Sequence, residues 1–197
     1  FKRRDDFIQP ILRENFPYVL LQPKQFGPNA NFVDMGNYSG GQAVAELFVN
    51  GGGKRIVFIN GPEQHLDSIE RERGFRDGMA VANPDSLKVW YGDYTIQSGY
   101  AAMSEILKHK CPDSVFCGND YMAAGAIRRL YEAGIRVPED VAVVGFDDSD
   151  ICLGIYPPLT SVNNRFLDLG RALAECLLDQ IEGHMVSCQK VFTPTVV

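Results

Sequence analysis

The sequence predicts an α/β fold in which helices cover both faces of a largely parallel sheet. Short runs of consecutive apolar residues alternate with longer runs whose apolar residues recur every three or four positions. The short runs do not alternate apolar with polar residues, as expected of strands that are buried on both faces. Glycines follow several longer runs, as at Gly51–Gly53 and Gly134, and glycine readily adopts the left-handed conformation that closes a helix.

The first half of the chain begins with a helix-like run over residues 4–15, in which Phe7, Ile8 and Ile11 recur at helical spacing. Pro10 lies inside this run, so the helix starts late or kinks there. The same two patterns identify the next elements, which are strands over 18–21, 56–59 and 89–91 and helices over 39–50, 68–82 and 98–109.

The second half continues the alternation and contains the longest amphipathic helix. This helix is predicted over residues 165–182, with Leu169, Leu173 and Leu177 on its apolar side and Gly183 after it. The remaining predicted elements are strands over 114–117 and 141–146, a helix over 121–133 and a last strand near Val191–Phe192.

The charge balance argues against a nucleic-acid-binding surface within these residues. The formal net charge is -6, whereas binding to phosphates depends on lysine and arginine. The one basic cluster, Lys2–Arg4, is followed at once by Asp5 and Asp6. We interpret it as the solvated start of a helix rather than a phosphate-binding arm.

Cysteine usage and hydropathy favour a cytoplasmic protein. The five cysteines are odd in number and no two have C-x-x-C spacing. Cys117 and Cys176 lie within apolar runs, so we interpret them as small core residues of a protein in a reducing compartment. No apolar run of about 18 residues predicts a membrane span, and no signal peptide is visible. The chain opens at Phe1 in what reads as a helix, which suggests a missing upstream segment.

Polar or aromatic residues follow five predicted strands, and parallel sheets place ligands beyond the carboxyl ends of their strands. Their donors and acceptors suit a polyhydroxylated or otherwise donor-rich small molecule, and an aromatic ring among them offers a face to an apolar ring surface. In chain order the residues are Gln22, Asp67, Arg71, Tyr94, Asn119, Asp120, Asp147 and Asp148.

Most of these residues also have a purely structural interpretation. Asp120 is well placed to cap the helix that follows it, and Arg71 is flanked by Glu70 and Glu72, with which it would pair on the surface. Turn formation would account for Asn119, Asp147 and Asp148, and simple packing would account for Tyr94. The shared position beyond strand ends, rather than any one residue, predicts a binding site.

Signatures of catalysis and metal binding are absent from the sequence. It has no glycine motif for nucleotide phosphates and no nucleophile elbow. The three histidines, His65, His109 and His184, have no metal-ligand spacing. Cys117 ends a predicted strand, but no histidine lies near it in sequence to activate it. We therefore predict no enzyme, no metal and no cofactor.

Several motifs in the same order and spacing resemble the LacI/GalR family of transcriptional regulators. Residues 118–126, GNDYMAAGA, resemble the family's N-D-x-x-A-x-G-A, and residues 134–148, GIRVPEDVAVVGFDD, its G-[LI]-x-V-P-x-D-[IV]-[SA]-V-[VI]-G-[FY]-D-[DN]. Residues 157–162, PPLTSV, are similar to P-P-L-T-T-V. Residues 71–75, RERGF, match R-x-x-G-F, and residues 92–100 match G-[DN]-[FWY]-x-x-x-S-G-[YF].

The resemblance implies a periplasmic-binding-protein-like fold of type I, with two lobes of parallel sheet flanked by helices and the effector bound between them. Residues 1–35 and 164–187 would form a partial N-terminal lobe. Residues 36–163 and 188–197 would form the C-terminal lobe. The helix-turn-helix headpiece, the hinge helix and the first strands of the N-terminal lobe are not in this sequence.

The resemblance also implies which residues contact the effector. Arg71 matches the arginine of R-x-x-G-F, and Tyr94 matches the aromatic residue that packs on the effector ring. Asn119 matches the asparagine of N-D, and Asp147 matches the first aspartate of G-[FY]-D-D.

Three further contacts follow from the resemblance, and two departures qualify it. Asp67 sits where a smaller hydroxyl residue often contributes, Gln22 where an aspartate often ends a strand of the N-terminal lobe, and Asn164 at the lobe crossover. The family's G-H-x-x-I is here GGKRI over residues 52–56, and its D-N is displaced or replaced within residues 34–37.

The function implied is that of a small-molecule effector domain in a regulator. The effector, a sugar or a nucleobase-like metabolite, would shift an allosteric equilibrium and thereby control operator binding by the missing headpiece. A homodimer is implied and no membrane contact is. The alternative is a periplasmic sugar-binding protein of a transporter, which shares the fold and carries a signal peptide. An enzyme on a doubly wound sheet is a third interpretation.

Overall fold

The computed structural model describes residues 16–22, 30–80, 87–184 and 187–197. The chain forms two compact units. The smaller unit comprises Phe1–Met35 and Arg165–Phe192, and the larger unit comprises Gly36–Asn164 and Thr193–Val197. The predicted helix over 4–15 and the basic cluster at its start lie outside the described residues.

Strands and helices alternate along the described residues, which confirms the predicted α/β class. In chain order they are β1 Leu20–Leu21, β2 Phe32–Asp34, α1 Asn37–Asn50, β3 Ile56–Asn60, α2 Leu66–Met79, β4 Lys88–Tyr91, α3 Ile96–Ile106, β5 Ser114–Cys117, α4 Asp120–Glu132, β6 Ala142–Val144, α5 Ile151–Gly154, β7 Val162–Asn163, α6 Phe166–Ile181, β8 Gln189–Val191 and β9 Thr195–Val196.

The larger unit is built on a parallel sheet with the strand order β4-β3-β5-β6. Each residue of β3 and β5 is buried, as the uninterrupted apolar runs predicted. Alternate side chains enter two cores: Ile59 and Cys117 pack with α3 and α4, whereas Phe58 and Phe116 pack with α1 and α2. The rings of Phe58 and Phe116 stack with their centroids 4.3 Å apart.

Two glycines bring α1 and α2 into backbone contact. A Cβ atom at Gly74 would lie 1.9 Å from the Tyr38 carbonyl oxygen, and one at Gly41 would lie 2.3 Å from the Arg71 carbonyl oxygen. Any larger residue at either position would push the helices apart. The close crossing holds the start of α1 beside the middle of α2, where the site described below is built.

Four short elements were not predicted from the sequence. These are β2, α5, and the antiparallel pair β7 and β9, in which Val162 faces Val196. None exceeds four residues, so none carries enough periodic positions to be distinguished from a loop. The main predicted elements match those observed to within a few residues at their ends, although the strand predicted over 141–146 is only Ala142–Val144.

The smaller unit has its own parallel sheet, in the order β1-β2-β8. Because Asp34 of β2 pairs with Val191 of β8, residues 188–192 belong to this unit. The prediction had grouped residues 188–197 with residues 36–163, whereas the structure places 188–192 in the smaller unit and 193–197 in the larger one. Asn164, which the prediction grouped with residues 165–187, lies in the larger unit. Helix α6 covers the sheet with Leu169 and Ala172, which pack with Val33 in one core.

A disulfide joins two cysteines that the sequence pattern had not paired. Cys176 on α6 is buried as expected, but it is bonded to Cys188, which precedes β8. Packing of α6 against the smaller sheet brings the Cα atoms of the two cysteines to 5.9 Å, a separation that a disulfide spans. The spacing of the two residues in the sequence does not reveal this proximity.

Candidate functional site

The carboxyl edge of the four-stranded sheet in the larger unit holds a buried arginine. Arg71 lies on α2 with 4% of its surface exposed. Its Nε donates to Asn37 Oδ1 at 2.7 Å, and its Nη1 donates to the Gly118 carbonyl oxygen. The guanidinium carbon lies 3.8 Å from the centroid of the Phe146 ring. The interpretation of Arg71 as half of a surface ion pair is therefore wrong, because three partners from other elements fix this side chain.

Asp147 supplies the negative charge that faces this arginine. Its Oδ1 lies 3.5 Å from Arg71 Nη2 and accepts a hydrogen bond of 2.9 Å from Asn164 Nδ2. Burial raises the pKa of the Asp147 carboxyl to about 6, although the Arg71 guanidinium opposes the rise. The backbone of Asp147 has a φ of 104°, which residues with side chains rarely adopt.

Asn164 contributes a polar atom with an unmet hydrogen-bonding requirement. Only 1% of its surface is exposed, and Oδ1 has no partner among the described residues. A buried acceptor without a donor is costly, so such atoms in folded proteins usually meet water or a ligand. The Nδ2 group of the same side chain is already bonded to Asp147, which fixes the direction of the amide.

Asp67 and Asn37 extend the network at the start of α2 and α1. Asn37 Nδ2 donates to Asp67 Oδ1 at 3.0 Å, while Asn37 Oδ1 accepts from Arg71. Asn37 was not among the predicted site residues. Its only signal was the family's D-N motif, which is displaced or replaced within residues 34–37 of the sequence.

Tyr94 and Asn119 are held to each other. Asn119 Nδ2 donates to the Tyr94 carbonyl oxygen at 3.1 Å, and Tyr94 Oη lies 2.7 Å from Ser68 Oγ. The Tyr94 ring lies against Gly61, where an added Cβ would be 2.1 Å from the ring. Burial raises the pKa of the Tyr94 phenol, which therefore stays neutral near pH 7.

Asp120 does not cap helix α4, contrary to the sequence prediction. Asn119 is the cap, since its Oδ1 accepts from the Met122 N–H at 2.9 Å, and Asp120 is the first helical residue. The buried Asp120 carboxylate instead accepts from the N–H and the hydroxyl of Ser149 at 2.7 and 2.8 Å. It also accepts from Ser161 Oγ at 2.5 Å.

This carboxylate and two serines form what we term the Asp120 clamp, consisting of Asp120, Ser149 and Ser161. Ser161 Oγ also accepts the N–H of Asp148 at 3.0 Å. Asp147 and Asp148 form the loop that follows β6, which we term the Asp147 loop, and both have positive φ. The clamp therefore holds this loop in a conformation that residues with side chains disfavour. Neither serine was predicted to contact Asp120, because neither its residue type nor its distance along the sequence connects it with Asp120.

The structure brings six of the seven predicted site residues into the larger unit. They are Asp67, Arg71, Tyr94, Asn119, Asp147 and Asn164. Gln22 follows β1 in the smaller unit, and its side-chain Nε2 is buried without a partner among the described residues. The role of each as a ligand contact stays a prediction.

The arrangement suits recognition of a neutral polar molecule. It presents a carboxylate that accepts, an amide oxygen without a donor and a neutral phenol beside a fixed cation. Among residues 16–22, 30–80, 87–184 and 187–197, no group of three or more histidine, cysteine, aspartate or glutamate side chains is arranged to hold a metal ion. In the same part of the chain, no helix has the length and apolar character needed to cross a membrane.

The amino-acid sequence matches a known protein family and several characterised proteins. Residues 45–197 match the family model of the periplasmic binding protein-like domain. The chain is 40% identical over 190 residues to the HTH-type transcriptional regulator CelR of Thermobifida fusca, covering 91% of this chain and 55% of that protein. It is 32% identical over 169 residues to the ribose operon repressor of Escherichia coli K12, covering 84% of this chain and 51% of that protein.

A solved structure agrees with these sequence matches. The complex of the transcriptional regulator CelR with cellobiose superposes with a TM-score of 0.88 at 35% identity, covering 100% of this chain and 62% of that chain. This chain spans about half the length of the two curated relatives.

Proposed function

The chain belongs to the periplasmic-binding-protein-like domain family, among the transcriptional regulators of the LacI/GalR type, and from this premise we propose that it is the effector-binding domain of such a regulator. We further propose that the smaller unit is part of the N-terminal lobe and the larger unit the C-terminal lobe. This chain spans about half the length of the two curated relatives, so the regulatory activity is proposed for the whole protein and not for these residues alone.

The convergence of Arg71, Asp147 and Asn164 carries the proposal. A buried cation, a carboxylate within 3.5 Å of it and an amide with one unpaired oxygen meet at the carboxyl edge of a parallel sheet. This edge is where open α/β sheets place their ligands. The three side chains come from different elements, so ligand binding explains their grouping better than local turn formation does.

The effector class that fits is a sugar or a related polar metabolite. Hydroxyl groups donate to Asp147 and to Asn164 Oδ1, and the ring of Tyr94 offers an apolar face to a sugar ring. The relatives support this class, since one solved structure contains cellobiose and one relative is named a ribose operon repressor. A nucleobase-like metabolite would use the same donors and acceptors.

In the whole regulator, the effector acts through a coupling free energy. It binds two conformations of the protein with different affinity and so shifts the population that binds operator DNA. The DNA contact belongs to a helix-turn-helix headpiece outside this chain. The net charge of -6 supports this assignment, because DNA binding requires lysine and arginine to neutralise phosphates. We place the protein in the cytoplasm, where its operator lies.

A homodimer is part of the proposal. Tyr131 and Tyr156 are 82% and 94% exposed, which is unusual for two large aromatic side chains that share one surface. Tyr131 and Tyr156 line one recess of about 370 Å³. A second copy covering this surface also supplies the paired headpieces that a two-fold operator requires. Tyr156→Asp is expected to shift the protein from dimer to monomer in sedimentation at micromolar concentration.

Catalysis has no support from the site. Burial raises the pKa of the Cys117 thiol well above its usual range, with a smaller contribution from Asp120. A thiol that stays protonated is a poor nucleophile. The two curated relatives named above are a transcriptional regulator and an operon repressor, which favours the regulatory interpretation over a transport protein or an enzyme.

Calorimetry with a panel of sugars and nucleobases tests the proposed function. We expect one class to bind the regulator, and Asp147→Asn to weaken its binding by about tenfold or more, equivalent to about 1.4 kcal/mol. Asp150→Asn is the matched control, because Asp150 is an exposed aspartate close to the same loop. Equal binding by both variants, or no binding of any compound and unchanged repression by Asp147→Asn, would contradict the proposal.

A further inference from the structure

The amino-terminal edge of the four-stranded sheet, at the opposite end from the effector site, contains a small recess with a concentration of positive charge. Its volume is about 170 Å³. The four cations Lys54, Arg55, Lys88 and Lys110 line it together with Trp90. Ile56, Val57, Ile106 and Pro112 provide its apolar lining, and His109 completes it. We term this feature the cationic recess.

The sheet topology explains why cations from distant parts of the sequence meet there. Lys54 and Arg55 directly precede β3, Lys88 opens β4, and Lys110 lies shortly before β5. These three strands are neighbours and run parallel, with Lys88 paired with Val57 of β3. Their amino ends therefore lie at one edge, just as their carboxyl ends share the edge that holds Arg71.

The charge in this recess is not balanced within the described residues. Asp113 accepts the backbone N–H groups of Lys54 and Arg55, and it lies 3.7 Å from Arg55 Nη2. No carboxylate of the described residues lies within ion-pair distance of the ammonium groups of Lys54, Lys88 or Lys110.

The neighbouring lysine behaves differently. Lys108 precedes Lys110 by two residues, does not line the recess and pairs with Glu105 at 2.6 Å. Like charges that lie close together repel one another and destabilise the folded state, and a bound anion relieves this repulsion. The chain as a whole has a net charge of -6, so its average composition does not predict four cations around one recess.

One of the cations is held in place. Arg55 Nε donates to the Cys111 carbonyl oxygen at 2.9 Å, so its guanidinium is oriented before any ligand arrives. Lysine ammonium groups bind phosphate as point charges, and arginine adds directed donors. The half-buried Trp90 supplies an aromatic surface for the uncharged part of a ligand. The recess is smaller than pockets for drug-sized ligands, so it suits a compact anion.

We propose that the cationic recess binds the phosphoryl group of a small phosphorylated metabolite. This binding is separate from effector binding at the carboxyl edge and does not rest on it. No covalent step is involved, and the ligand is held by charge and by its contact with Trp90.

Fluorescence gives a direct test, because Trp90 is the single tryptophan of this chain. The chain is titrated with pyrophosphate and with glucose 6-phosphate, and sodium chloride and sodium sulfate at equal ionic strength serve as controls. We expect saturable changes in Trp90 emission with dissociation constants of about 1 mM or below for the phosphate compounds. Calorimetry of the same titrations measures binding even where the emission does not change.

Charge-neutralising variants locate the binding. We expect Lys88→Gln and Lys110→Gln each to weaken phosphate binding by about fivefold. Lys108→Gln, which makes the same change on a paired lysine outside the recess, is expected to alter it by less than about twofold. All three side chains are exposed, and melting curves verify that the variants fold.

Three results would overturn the proposal: no saturable binding by either method, a response that sodium chloride reproduces at the same ionic strength, or equal losses in Lys108→Gln and Lys88→Gln. Asp147→Asn separates this site from the effector site. It is expected to weaken effector binding and to leave the phosphate titration unchanged.

Discussion

The two edges of the four-stranded sheet use positive charge in opposite ways. At the carboxyl edge one cation, Arg71, is buried and fixed by Asn37, the Gly118 carbonyl oxygen and Asp147. At the amino edge four cations line an open recess, and only Arg55 has an ion-pair partner among the described residues. Burial strengthens the electrostatic interactions of Arg71, so removing one of them is costly. Water and salt screen the exposed cations at the amino edge. We therefore expect stability to depend on the cation at the carboxyl edge, which is buried and has several partners, more than on the four exposed cations at the amino edge.

The largest expected effect breaks the buried edge. Arg71→Met leaves the Asp147 carboxylate without its cation. It also removes the two N–H groups that donate to Asn37 Oδ1 and to the Gly118 carbonyl oxygen. We therefore expect a loss of about 3 kcal/mol or more in the free energy of unfolding. Urea denaturation measures it. The control Arg76→Met removes an exposed partner of Glu72 and is expected to cost less than about 0.5 kcal/mol. Similar losses in the two variants would show that burial does not distinguish them.

A second prediction concerns the pH dependence of the carboxyl edge. The pKa of Asp147 is about 6 in the folded protein, above the ordinary value of 3.8. Because the folded state holds this proton more tightly, the stability that it contributes is complete below about pH 4 and is lost as the pH rises through about 6.

Comparing the wild type with Asp147→Asn isolates this contribution, since other titrating groups cancel. We expect the variant to gain stability relative to the wild type between about pH 4 and pH 7, by about 2 kcal/mol. Denaturation at several pH values measures the difference. A gap that stays constant across this range would show that the Asp147 carboxyl titrates normally in the fold.

A third prediction concerns Ser161, which supports the Asp147 loop and carries no charge. Ser161→Ala removes the hydroxyl that donates to Asp120 and accepts from Asp148, leaving buried polar atoms unpaired. We expect a loss of about 1.5 kcal/mol in stability together with weaker effector binding. Ser104→Ala is the control, because the Ser104 hydroxyl donates to the Tyr100 carbonyl oxygen within its own helix and connects no other element in the part of the chain that the structure describes. The interpretation fails if effector affinity is unchanged in Ser161→Ala.

The smallest effect is expected at the exposed edge. Lys88→Gln removes one of several like charges, so stability should change by less than about 0.5 kcal/mol, in the stabilising direction at low salt. Added salt should abolish the change, because exposed charges are screened. Thermal melts at two ionic strengths measure it. A large loss of stability would mean that Lys88 is integral to the fold and would remove the contrast between the edges.

Much of the fold was predictable from the sequence. Residues 56–59 and 114–117 read as strands because nearly every position is apolar, and burial on both faces requires that pattern. The grouping of Arg71, Tyr94 and Asn119 at one edge was also predictable. Parallel strands bring their carboxyl ends together whatever the details of packing.

The roles of individual polar residues were less predictable. Asp120 stood at the expected position of a helix cap, yet its neighbour Asn119 caps α4 and Asp120 binds two serines that lie 29 and 41 residues away. Asn37 binds Arg71 across 34 residues. Local spacing describes neither pair.

Sequence patterns were enough to predict the α/β class, the main helices and strands, the family motifs and the sheet edge at which the polar residues collect. The packed structure was needed to show that Arg71 is buried, that Asn164 donates to Asp147, that Cys176 pairs with Cys188, and that residues 188–192 belong to the smaller unit. The reason is physical. Periodicity follows from the local geometry of helices and strands, whereas the partner of a side chain depends on distances that exist only after elements far apart in the chain have packed together.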